Sequence, residues 1–117
     1  ITDDQAVNWA PYWHPSGKYL LYGTSAVDHG NYEIFAVEVD LNKPASELRK
    51  RRITQASGAD VLPVFSDDGK LMMWTGQRGP KAAGEEKPSS QLWIAEVKPG
   101  AGGLSDPAGL FAEPAKK

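Results

Sequence analysis

The 117-residue chain contains no cysteine. That excludes disulfides, thiolate metal sites and cysteine nucleophiles together, and it leaves the redox compartment open. Histidine is scarce: His14 and His29 are the only two. The formal net charge is −2, so no global field draws the chain to nucleic acid or to an anionic membrane. No apolar run approaches the roughly 18 residues of a membrane span. No signal peptide is visible. The chain opens on Ile1, within a repeat unit, and reads as a processed or excised piece. The missing signal therefore carries no argument for the cytoplasm.

Glycine, proline and aromatics are plentiful instead. Twelve Gly and nine Pro imply many turns without reaching low complexity. Four Trp, four Tyr and three Phe argue against disorder. The length is one domain's worth, on a scale of roughly 100–200 residues per domain.

The chain also repeats itself. Pro11-Tyr12-Trp13-His14-Pro15-Ser16-Gly17-Lys18-Tyr19-Leu20-Leu21-Tyr22 returns as Pro63-Val64-Phe65-Ser66-Asp67-Asp68-Gly69-Lys70-Leu71-Met72-Met73-Trp74, 52 residues later (63 − 11). Ile1-Thr2 matches Ile53-Thr54 at the same offset. Self-similarity at a fixed period means one supersecondary unit used more than once. Such units rarely bury their apolar face alone, so they stack.

Each unit reads as strand, tight turn, strand, loop, strand. Residues 19–25 and 71–77 are short, apolar and bounded by turns. Residues 32–39 and 91–97 alternate as half-buried strands do. In the turns, Pro15 fixes φ, Ser and Asp bond locally, and Gly17 and Gly69 supply a positive φ. A fourth strand near Arg51-Arg52-Ile53-Thr54 completes unit one, and unit two has no counterpart. The third strands align at an offset of 58 (92 − 34), so unit two carries six extra residues within Gly79–Ser90. Insertions in repeats map to loops and often to a binding face, although a neutral surface insertion is the more economical reading.

These residues resemble the TolB-like β-propeller repeat, a WD-like repeat. The resemblance rests on Pro-x-aromatic, a turn ending Ser16-Gly17-Lys18 or Asp68-Gly69-Lys70, an aromatic strand, Gly30-Asn31-Tyr32-Glu33-Ile34-Phe35, and Arg52-Ile53-Thr54. It covers residues 1 to about 97. Unit one departs at His14 and Ser16, where the family has Ser and Asp. Unit two has Asp67 in place of Pro and lacks the Gly-Asn-x-Glu element. The resemblance implies an all-β fold of two four-stranded antiparallel propeller blades, part of a larger or oligomer-completed β-propeller. Residues 1–5 would be an outer-strand remnant of a preceding blade, 6–54 blade one, 55–98 blade two without its outer strand, and 99–117 an irregular tail. Trp13 and Phe65 would pack between neighbouring blades.

Candidate chemistry is thin. Arg49-Lys50-Arg51-Arg52 could meet phosphate, but in an outer strand it reads as a solvated face, and no interleaved aromatics follow. His14 and His29 have no ligand spacing and read as exposed loop histidines. Asp28-x-Gly30-Asn31 lacks the acidic density of a calcium loop and reads as a hydrogen-bonded turn. No Gly-x-Ser-x-Gly elbow occurs. Asp67-Asp68 reads as a pair of turn formers. Trp9, which pairs with Val61 in the repeat, is the aromatic least explained by packing and is a candidate contact residue.

The sequence thus predicts no catalytic, cofactor-binding or metal-binding residue. Its candidate partner contacts are Trp9, Asp28, His29, Asn31, Lys81, Glu85 and Glu86. The resemblance implies a non-catalytic protein-binding or scaffold module, periplasmic or otherwise extracytoplasmic, with no cofactor, nucleic acid or membrane span. Its partners would be another protein, the rest of a longer propeller chain, or further copies completing the ring. The alternative is the gating propeller of a larger serine-peptidase-like enzyme.

Overall fold

Gly17 and Gly69 both adopt a backbone φ of 72°. Glycine enters this left-handed region without a Cβ clash, and the chain reverses there into antiparallel pairs. The computed structural model describes residues 1–112. Seven strands follow in order: β1 (Asn8–Trp13), β2 (Tyr19–Thr24), β3 (Glu33–Glu38), β4 (Lys50–Arg52), β5 (Asp60–Phe65), β6 (Leu71–Gly76) and β7 (Gln91–Glu96), then a short helix α1 (Pro107–Leu110). They form two antiparallel sheets, β1-β2-β3-β4 and β5-β6-β7. The fold is all-β. The first sheet has four strands, and among the described residues the second has three, as expected of a second unit without an outer strand.

The strands carry the sequence repeat. β5 begins 52 residues after β1 (60 − 8), β6 52 after β2 (71 − 19), and β7 58 after β3 (91 − 33). Register repeats as well: Leu21 opposite Ala36 becomes Met73 opposite Ile94. Even an irregularity repeats. The β1 ladder slips between Trp9 and Tyr12, and the β5 ladder between Val61 and Val64. There Ala10 and Leu62 take φ of 53° and 57°, a region costly for residues with a Cβ. Each precedes a proline, Pro11 or Pro63, which has no N–H to offer a ladder.

Alternation gives every sheet two faces. We call the side bearing Tyr19, Leu21, Ile34 and Ala36 the front, and that bearing Trp13, Leu20, Tyr22 and Phe35 the back. Their equivalents in the second sheet are Leu71, Met73, Leu92 and Ile94 in front and Phe65, Met72, Trp74 and Trp93 behind. The main core is the front of the first sheet packed on the back of the second. A smaller cluster joins Tyr22 and Val37, on the first sheet's back, to Leu48 from the β3–β4 loop.

Several expectations need correction. Phe65 is 4% exposed at the contact between sheets, whereas Trp13, its equivalent, is 53% exposed, since nothing in the described chain covers it. Residues 1–5 form no strand. Ile1 and Thr2 instead line a cleft of about 230 Å³ with Trp9, Leu20 and Tyr22. The tail is not irregular throughout: its final residues 113–117 lie outside the described residues, but α1 drives Leu110 and Phe111 into the main core. Asp106 caps that helix by accepting from Gly109 N, and Tyr19 donates its hydroxyl to the Leu104 carbonyl at 2.6 Å.

Candidate functional site

The β2–β3 connection carries Asp28, His29 and Asn31, and the β6–β7 connection carries Lys81, Glu85 and Glu86. Equivalent connections leave equivalent strands at the same end, so the fold brings these two loops together. Gly30 and Asn31 of one line a cleft of about 240 Å³ with Lys87 and Pro88 of the other. Ser57 and Gly58 from the segment leading into β5 close its side. Trp9 lies beside them, edge-on to Tyr32 at 6.3 Å between ring centroids. It is half-exposed, as a contact residue must be.

The first loop is held from within. Asp28 Oδ1 accepts from Gly30 N at 2.7 Å, and Asn31 N donates to the Asp28 carbonyl at 3.0 Å. Asn31 Nδ2 donates to Glu33 Oε1 at 2.8 Å. Asp28 and His29 remain exposed, and so do Lys81, Glu85 and Glu86. Of the expected contacts Asn31 lines this cleft, whereas Glu85 and Glu86 line a separate one within their own loop. An exposed aromatic with polar and charged groups on adjoining loops suits a polar protein surface with one apolar anchor.

Beneath this rim lies a polar network that the sequence did not announce. Glu33 is fully buried. It accepts from the Thr54 hydroxyl and from Asn31, with the Arg52 guanidinium at 3.7 Å. Burial pushes its carboxyl above the usual range and the nearby Asp60 charge adds to that, while Thr54, Arg52 and Asn31 oppose. Asp60, also buried, accepts from Trp74 Nε1 at 2.9 Å and pairs with Arg78 at 2.8 Å. Its backbone N–H donates to the Tyr32 carbonyl at 2.8 Å. The network therefore ties the loop after β2 to the start of β5. Glu33 and Thr54 sit inside the motifs quoted for the resemblance. Asp60 and Arg78 gave no signal, because a lone Asp or Arg at a strand end looks solvated.

Of two other candidates, only the first resolves differently from expectation. His14 is not an exposed loop histidine. It is buried, stacked on Tyr19 at 4.5 Å and edge-on to Phe65 at 4.8 Å. Its Nδ1 faces the backbone N–H of Ser16 at 3.1 Å and the Ser16 hydroxyl at 2.8 Å, and burial lowers its pKa. The basic run is committed internally. Arg49 pairs with Glu38 at 2.9 Å and Lys50 with Asp4 at 3.7 Å. Arg51 donates to the Leu110 carbonyl at 3.0 Å and Arg52 to the Thr54 carbonyl at 2.8 Å. Phosphate would have to displace these partners.

Among the described residues, no group of three or more His, Asp or Glu side chains is placed to hold a metal ion. No helix among them is long and apolar enough to cross a membrane. No family model matches the chain.

Proposed function

We propose that the two sheets are consecutive blades of a TolB-like propeller, and that the chain is a non-catalytic protein-binding or scaffold module working outside the cytoplasm. One observation carries the binding reading. The Asp28–Asn31 loop and the Gly79–Ser90 insertion, far apart in sequence, line one cleft beside the half-exposed Trp9. The blade reading is supported by a three-strand meander that recurs in both sheets with its bulge at the equivalent place. A rim of loops on a packed β scaffold is where binding residues concentrate, because loops vary while the scaffold holds them in place.

Photo-crosslinking in cells tests this. A photoreactive residue is placed at Trp9, at Lys81 and, as a control at the opposite end, at Lys18. Adducts with another extracytoplasmic protein from Trp9 and Lys81, but not from Lys18, are expected. Equal labelling from all three sites, or none from the first two, contradicts the reading.

A further inference from the structure

The second sheet ends in an apolar face that nothing in the described chain covers. Leu92 is 73% and Ile94 64% exposed, and Leu71 and Met73 lie exposed beside them. A contiguous apolar patch of this kind marks an interaction surface rather than scattered exposure. Its occupant can be read from the same molecule. These four residues are the equivalents of Ile34, Ala36, Tyr19 and Leu21, all buried. Those front-face residues pack on Phe65, Met72 and Trp74, the back of the next unit. So a front face of this unit has a known partner, and it is the back face of the same unit.

The chain also carries that partner, in part uncovered: Tyr22, the equivalent of Trp74, is already buried with Val37 and Leu48, but the rest of the face is open. The back of the first sheet shows Trp13 in the place of Phe65, with Leu20 and Phe35 only partly buried. Beside them lies the cleft walled by Ile1, Leu20 and Tyr22. Among the described residues, each molecule therefore holds one uncovered front and one partly uncovered back. Two unlike, complementary surfaces on one chain make a heterologous contact, which propagates head to tail and closes if its rotation allows.

We propose that this chain associates head to tail with a second copy of itself, the front of one copy's second sheet docking on the back of the other copy's first sheet. The contact repeats between molecules the stacking that joins the two sheets within one. The inference stands on the repeat equivalence and does not need the rim described above to bind anything.

Face-specific variants test it. Ile94→Glu disables the front and Trp13→Glu the back. Both positions are exposed, so folding should survive, and far-ultraviolet circular dichroism checks that. Leu92→Glu is a second front variant should Ile94→Glu misfold. Sedimentation is measured from micromolar to near-millimolar concentration. Wild type should rise with concentration past twice its 12.7 kDa mass. Each variant alone should stay monomeric, having lost one half of the only contact. An equal mixture should form a dimer and stop there, because each variant lends its intact face. A wild type that stays monomeric throughout overturns the proposal and means that something other than a second copy covers these faces. A mixture that stays monomeric overturns it too. So does self-association that persists in Trp13→Glu, which would indicate front-to-front contact or pairing along the free edge of β7.

Discussion

Trp74 donates its indole N–H to the buried carboxylate of Asp60 at 2.9 Å. Arg78 closes the other carboxylate oxygen at 2.8 Å while lying over the Trp74 ring, 4.9 Å from its centroid. The three side chains form one unit, and Gly76 makes room for it: a Cβ there would collide with Asp60 Oδ1. Removing the carboxylate strands a buried indole N–H and a partly buried guanidinium. Asp60→Ala should therefore destabilise by about 3–5 kcal/mol, the range for breaking a buried pair. Asp60→Asn keeps an acceptor for Trp74 and should cost less. Urea denaturation followed by tryptophan fluorescence measures both.

Stability against pH should carry two carboxylate contributions of opposite sign. The Arg49 guanidinium hydrogen-bonded to Glu38 holds that carboxyl down at about 2, against an ordinary 4.5. Its contribution is present above 4.5 and is lost as pH falls towards 2. Glu33 is shifted upward by burial. Its contribution is fully present below 4.5 and is lost as pH rises through the raised value. Denaturation midpoints across pH should show Glu38→Gln flattening the acid limb and Glu33→Gln flattening the decline above 4.5. Buried His14 adds a loss on acidification below its ordinary 6.5, because its pKa is lowered.

The segment after β7 contributes to the core rather than trailing from it. Leu110 is buried against the main cluster beside Tyr19 and Phe111. Leu110→Ala should cost about 2–5 kcal/mol, as for other buried leucines. Ala108→Ser, two residues earlier on the exposed side of the helix, should be near neutral. Thermal melts of the two variants check the contrast.

Much of this architecture was legible in the sequence for a physical reason. Strand faces and turns are encoded locally, by alternation at residues 32–39 and by glycine where φ must be positive at 17 and 69. The repeat then multiplied each local signal by two. What was not legible depends on tertiary placement. His14 looks like a turn residue, and only the packing of Tyr19 and Phe65 around it makes it a core residue. Leu110 and Phe111 follow a glycine-rich stretch that hides their return to the first sheet. The rim is half legible: both loops read as exposed and polar, but no local pattern tells that Asn31 and Lys87 line one cleft. The positive φ of Ala10 and Leu62 gave no sign, since neither residue type favours that conformation.

Trp13 and Phe65 give the sharpest comparison, because they hold one position in two copies of one unit, and among the described residues only Phe65 has a preceding sheet packed over it. The measurement is the unfolding free energy of Trp13→Ala and Phe65→Ala by urea denaturation, at concentrations too low for self-association. Phe65→Ala should cost about 3–5 kcal/mol, as for a buried aromatic, and Trp13→Ala about 1 kcal/mol or less, as for an exposed side chain. Equal losses at the two positions would contradict the stacking of front on back on which this account rests.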